Sequence, residues 1–395
     1  MRVRERSVTI PGEYQIIRYL PEYRGQVAEL QKGMWSPYLR LNEAYLEWKH
    51  LWNPYTREPL IYLAVARGQV VGMRGFFGAR WFVGTPPRPV LLPCAGDLII
   101  AQEHRNRGLV AEIMKFALAD LALRGFDYTI SLSAGSVTLL SQIATGWRSI
   151  GSLRVLERAA ASPARTSALR VMANRWPLVA GLYRQLRDTA KAKDPRNRKS
   201  PSPRQFECLD QMNARLGRRL NGCITIEPRA RPQEMAELVA RLVSDTRIRH
   251  VQDEEYFEWR FRNPLSHYRF LFWCEPRLEG FLVLRASVVP WRSEVGIIAW
   301  QASSAEVRSA LICAAVRLMG RRTLRVWSAT LADPEREALV AEGFRPVSQR
   351  ITENPRMALI RSTREERVHR DWLVDGWPVL NISSWDLSMI CSDGV

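Results

Sequence analysis

Asp97 heads an apolar run, Leu98, Ile99, Ile100 and Ala101, which ends in a tight polar loop from Gln102 to Gly108. Leu109, Val110, Ile113, Met114, Ala117, Leu118 and Leu121 then recur at helical spacing. The expected unit is a strand, an arginine-rich turn and an amphipathic helix. Free N–H groups at a helix start, with the helix dipole behind them, can hold a phosphate. Arg105 and Arg107 would add charge-assisted bonds to such an anion. Asp97 is the candidate general base, directly or through a water. Blander readings exist for both: an ordinary strand-to-helix turn, and a carboxylate that caps a strand edge. His104 could serve as a base from the loop, and Glu103 is expected to pair with Arg105. Tyr128, Ser133 and Ser136 are weaker donor candidates.

The segment from Asp97 to Val110 resembles the central motif of the GCN5-related N-acetyltransferases. Arg105 and Gly108 stand at that motif's Arg and middle Gly. Gln102, Asn106 and Val110 stand where Pro, the first Gly and the last small residue are common. The resemblance implies a cosubstrate, acetyl-CoA or another acyl-CoA. Its diphosphate would lie on Arg105, Asn106, Arg107, Gly108, Leu109 and Val110. Its pantetheine arm would pair with strand backbone at Leu98, Ile99 and Ile100, much as an added strand does. N–H groups near Ile100 and Ala101 would polarise the acyl carbonyl. The implied reaction is acyl transfer to an amine, and the alternative is a non-catalytic scaffold of degenerate domains. The family often has a Tyr five residues before a Gly-aromatic step. Here the step is Gly146-Trp147 and the Tyr position is Gln142, which cannot give a proton.

These residues need a frame. Spacing and turn signals give a strand from Tyr14, a helix from Glu22 to about Met34, and a hairpin of Leu60–Ala66 with Val70–Ala79. An extended stretch leads into Asp97, and after the helix come a strand from Tyr128, a short helix from Ser136 and a closing strand from Ser149 to Glu157. This order is that of the same family.

The second half repeats the first. Tyr45-Leu46-Glu47-Trp48-Lys49 is matched by Tyr256-Phe257-Glu258-Trp259-Arg260, and Asn53-Pro54 by Asn263-Pro264, one residue closer. Glu47 and Glu258, being duplicated, read as structural. Trp48 and Trp259 are expected to pack each copy's helix on its sheet, or to form a stacking platform. The predicted fold class is α/β: two tandem acyl-CoA N-acyltransferase-like domains, each a mixed, mostly antiparallel sheet flanked by helices. The boundaries read as 1–158 with the CoA-binding motif, a basic helical connector over 159–205, a degenerate copy over 206–365 and a Trp-containing tail over 366–395. Met357–Arg361 is the expected closing strand of the second copy. After Trp300 the sequence Gln301 to Ala305 has no cation and no glycine, so one CoA per chain is expected, in the first copy only.

The 395 residues, 46% apolar, suit multiple domains with sizeable cores. No apolar run reaches the ~18 residues of a membrane span. Six scattered cysteines without a C-x-x-C pair fit a reduced cytoplasm, the expected location. The five separated histidines give no zinc framework. The net charge of +18 is carried mostly by arginine, and more than half of it sits between Arg154 and Arg204. Within that connector Leu169 to Leu186 reads as a basic amphipathic helix. It would pack between the domains or make weak contact with an anionic membrane surface. The amine substrate, borne by a small molecule or a polymer, is the main expected partner. No specific nucleic-acid motif is present.

Overall fold

The computed structural model describes residues 7–10, 14–159, 223–242, 246–288, 294–320, 322–347, 356–364 and 372–393. The connector, apart from Ala159, lies outside the described residues, and with it the amphipathic helix expected there. Among the described residues, no helix is long and apolar enough to cross a membrane.

The first half runs β1 (Ser7–Ile10), β2 (Tyr14–Arg18), α1 (Arg24–Leu30), α2 (Leu39–Leu46), β3 (Leu60–Ala66), β4 (Gln69–Phe77), β5 (Arg80–Val83), β6 (Arg88–Leu91), β7 (Cys94–Ile100), α3 (Leu109–Leu123), β8 (Tyr128–Ala134), α4 (Ser136–Ala144), β9 (Arg148–Ser152) and β10 (Val155–Arg158). The second runs β11 (Ile224–Glu227), α5 (Pro232–Leu242), β12 (Ile248–His250), α6 (Glu254–Arg260), β13 (Ser266–Cys274), β14 (Leu278–Ser287), β15 (Val295–Ala302), α7 (Ala305–Met319), β16 (Leu324–Trp327), α8 (Asp333–Ala341), β17 (Arg345–Pro346), β18 (Met357–Ser362), β19 (Leu373–Val374), β20 (Trp377–Pro378) and β21 (Trp385–Asp386).

Two sheets dominate. The first has the order β1-β2-β3-β4-β7-β8-β18-β9 and the second β11-β13-β14-β15-β16-β10-β17. The closing strands are exchanged. β18, from the second half, lies between β8 and β9 of the first sheet. β10, from the first half, lies between β16 and β17 of the second. This corrects the expectation that each copy closes on itself, and the sheets do not follow the divisions 1–158 and 206–365. The stretch from Ser149 to Glu157, read as one strand, breaks at Leu153-Arg154 and sends its two parts to different sheets. Periodicity identifies a strand but not the sheet that receives it.

The halves meet through the repeated tryptophans. Trp48 and Trp259 stack with centroids 5.0 Å apart and planes 8° from parallel. Each indole N–H donates to the other's backbone carbonyl at 2.7 Å. The expected packing of each Trp on its own sheet is thus replaced by a reciprocal pair between copies. The shared core around them also takes in Trp81, Trp385 and Ile390. β21 adds to a small sheet, β21-β12-β5-β6, that draws on both halves and the tail.

α3 forms because Leu109, Ile113, Met114, Ala117, Leu118 and Leu121 bury one face against the first sheet. It stops where Gly125 turns left-handed (φ +85°) and the Phe126 N–H returns to the Leu121 carbonyl.

Candidate active site

β7 and β8 run parallel and pair only at Cys94 and Ile130. Beyond that point they splay. On its other side β7 stays paired with β4 through Ile100. The Ala101 N–H donates to the Val71 carbonyl. Antiparallel alternation therefore turns the N–H and C=O groups of Ile100 and Leu98 away from β4, into the gap. Arg105 Nε donates to the Ile100 carbonyl from that side at 3.2 Å. Ala101 cannot polarise an acyl carbonyl as expected, since its N–H is already used by Val71.

The loop holds Asn106 and Gly108 in the left-handed region, at φ +61° and +75°. A Cβ on Gly108 would meet nothing within 4 Å, so the space beside the helix start is open. Ala111 and Glu112 donate to the Gly108 carbonyl. Among the described residues, the N–H groups of Asn106 to Val110 have no backbone acceptor. Arg105, Asn106, Arg107 and Gly108 are exposed, Leu109 is buried and Val110 is half-buried. Arg107 donates to the Tyr14 hydroxyl at 2.8 Å, and that hydroxyl contacts His104 Nδ1 at 3.0 Å. His104 is thereby tied to β2. Arg105 reaches Ile100 instead of Glu103.

Asp97 is the extra residue of a β-bulge: Arg74 pairs with Leu98 and Gly75 with Gly96. Its φ is +44°, a conformation that needs support from its surroundings. That support comes from Trp35, Lys49 and His50. Trp35 Nε1 donates to Oδ1 at 2.7 Å. Lys49 Nζ donates to Oδ2 at 2.9 Å, and His50 Nε2 contacts the same oxygen at 3.0 Å. Lys49 also meets Asp393 of the tail at 2.5 Å, and Tyr45 donates to that carboxylate at 2.6 Å. Gly75 and Gly96 make this approach feasible. A Cβ on Gly96 would come within 2.5 Å of Lys49 Nζ, and one on Gly75 within 2.9 Å of the His50 ring.

Burial pushes the Asp97 carboxyl up, but Lys49 and His50 outweigh it and hold it well below the usual carboxylate range. Burial lowers Lys49, yet Asp393 and Asp97 together raise it above an ordinary lysine. Burial also lowers His50. A carboxylate so engaged is a poor proton acceptor. The expected role of Asp97 as base does not fit this geometry. It holds the bulge and fixes Lys49, His50 and Trp35.

Lys49 and His50 sit on a π-helical turn, Glu47–Leu51, that follows α2. A π-turn absorbs one extra residue and often marks a functional site. The signal was in the sequence: the first Trp-to-Asn-Pro spacing is one residue longer than the second. In the second half the bulge persists but holds Ile298, since Val283 pairs with Ala299 and Leu284 with Ile297. Lys49 is matched by Arg260, which donates to the Ile390 and Ser392 carbonyls and to Tyr268. No carboxylate is needed there.

A cleft of about 620 Å³ runs through the splay. The first half lines it with Trp35, Arg74, Asp97, Leu98, Ser131 and Gln142, and the second with Arg285, Glu294, Arg325 and Trp327. Arg325 is paired with Glu157 and Glu294, each at 2.6 Å. Arg74 has no such partner. It is 2% exposed, and its Nε and Nη2 meet no acceptor among the described residues. The Phe76 and Trp147 rings flank its guanidinium at 5.2 and 5.9 Å. Burial pulls its pKa down to about 10, against the pull of Asp97, so it is charged at neutral pH. Gln142 is likewise buried with both amide atoms unpartnered. Tyr128 is buried beside Trp372, away from the cleft, while Ser133 lines it.

No family model and no curated protein matches the sequence. Solved structures do resemble the fold. A GCN5-related N-acetyltransferase from Anabaena variabilis is 11% identical, with a TM-score of 0.53 over 89% of this chain and 73% of its own. An Enterococcus faecalis V583 protein, described as a "Probable N-Acyltransferase", is 10% identical, with 0.52 over 89% and 72%. A tandem GNAT protein from the clavulanic acid biosynthesis pathway is 10% identical, with 0.51 over 90% and 100%. The chain has the GCN5-related N-acetyltransferase fold, in a tandem arrangement.

Proposed function

We propose that the protein is an acyl-CoA-dependent N-acyltransferase that uses one acyl-CoA per chain, in its first half. The observation that carries this is the contrast between the two copies at equivalent places. In the first half an open loop with two arginines, whose N–H groups meet no backbone acceptor among the described residues, leads to a strand edge that no strand pairs beyond Cys94. That edge ends at a cleft holding an unpartnered buried guanidinium. In the second half the loop after β15 has neither cation nor glycine, the bulge residue is Ile298, and Arg74 is replaced by Val283.

The residues fit the group. Asn106 to Val110, with Arg105 and Arg107, would hold the diphosphate, and the edge at Leu98 and Ile100 would take the pantetheine amides. The bound acyl-CoA supplies an activated thioester. The chain orients it along β7 and offers an entry for the amine along the wall built by the second half.

Isothermal titration with acetyl-CoA tests this. A stoichiometry near one is expected. Removing both guanidinium groups, Arg105→Ala with Arg107→Ala, should weaken binding roughly a hundredfold or more, at about 1.5–3 kcal/mol per charge-assisted bond. A stoichiometry of two, or unchanged affinity in the double variant, would overturn the assignment. No binding by the unmodified protein would favour the scaffold reading.

A further inference from the structure

Among the described residues, no carboxylate forms an ion pair with Arg74, and two of its buried guanidinium nitrogens meet no acceptor. It lies on β4 directly opposite Leu98. Its side chain shares a sheet face with α3. At the neighbouring same-face pair, Gly72 and Ile100, a Cβ on Gly72 would touch both Ile100 and Ile113 of α3. Gln142 approaches from α4, and both residues line the cleft. Burying a cation without hydrogen bonds is costly, so an unpartnered one calls for an explanation, and an anion that arrives on binding is one.

The open edge sets where that anion arises. From the helix start at Gly108, the unpaired edge runs back through Ile100 to Leu98 and stops at the Asp97 bulge. An arm lying along it ends beside Arg74. No tyrosine is among the residues that line the cleft, and Gln142 stands where the family resemblance implies a phenol that would serve as acid. We propose that Arg74, with the Gln142 amide donating beside it, receives the leaving thiolate as an ion pair instead of having an acid protonate it. This rests on the acyl-CoA reading. In the step, the amine lone pair forms the new C–N bond and the C–S bond breaks with its electron pair staying on sulfur. The guanidinium holds that sulfur anion. The proton lost by nitrogen passes to water in the open cleft, and sulfur is reprotonated from solvent as CoA leaves.

The test needs no acceptor. CoA is bound to the full-length protein, its occupancy is fixed by calorimetry, and the bound thiol is titrated by its thiolate ultraviolet absorbance. The thiolate fraction at a given pH should exceed that of free CoA by about tenfold or more, a shift of about one pKa unit. Arg74→Met should abolish the shift, while CoA affinity measured at a pH where the thiol is protonated stays within a few-fold. Arg74→Lys should restore part of it, and Gln142→Leu should reduce it. If Arg74→Met fails to fold, the titration of the unmodified protein and of Gln142→Leu still decides. CoA that binds with a thiol titrating as it does in water leaves the acyl-CoA reading standing and overturns the role of Arg74, as it would if Arg74 bound a substrate carboxylate. Failure to bind CoA at all overturns both.

Discussion

Two buried histidines show how differently one side chain can be used. His50 is locked between Asp97 and the Phe76 carbonyl. His250 lies at the interface of the halves. Its Nδ1 meets the Val251 carbonyl at 2.9 Å and its ring packs on Tyr256 at 4.3 Å. Burial drives its pKa down to about 4. Between that value and the ordinary one near 6.5, the unfolded chain binds a proton that the folded chain refuses, so stability falls as the pH drops through this window. The expected loss by pH 4 is about 3 kcal/mol, with His50 acting in the same direction. Urea denaturation at pH 7 and pH 4 checks it, and His250→Gln should flatten the difference. An equal pH dependence in that variant would refute the assignment.

At the scale of elements, the repeat in the sequence was the most informative signal. It placed both hairpins, α3, α7 and the strand-loop-helix unit. Trp48 and Trp259 were recognisable as equivalent, but their meeting was not, because nothing local says that two copies of a motif face each other. The same limit hid Lys49, His50 and Arg74: each reads as a helix or strand residue until the bulge and the π-turn aim it. Asp97 was legible as a candidate but not in its role, since Lys49 and Trp35 reach it from other elements. The Trp pair predicts strong coupling. Trp48→Ala or Trp259→Ala alone should cost about 3–5 kcal/mol. The double variant should cost less than the sum by about 0.5–3 kcal/mol, because one stack and two reciprocal bonds are lost only once. Additive losses in a denaturation cycle would show that the stack carries no energy of its own.

At the scale of the molecule, strand exchange makes each half dependent on the other. A fragment ending at residue 159 lacks β18, so β8 and β9 are left with unpaired edges inside what should be a continuous sheet. Exposed edges of this kind template aggregation. Fragments 1–159 and 223–395, expressed separately, should be insoluble or unfolded, whereas co-expression should recover a soluble complex. Cooperative unfolding of either fragment alone, seen by circular dichroism, would contradict the exchange.

The tail adds an order in time. Tyr45 and Asp393 are 348 residues apart in sequence, yet they share the charge cluster with Lys49. At roughly 5–20 residues per second, some 17 to 70 s of synthesis separate the two ends of that contact. Until Asp393 emerges, Lys49 lacks its second carboxylate and Arg260 lacks the Ser392 carbonyl. The centre of the molecule is therefore sealed late, by residues made long after Tyr45 and Lys49, and a chain cut short before Asp393 would leave Lys49 with one carboxylate.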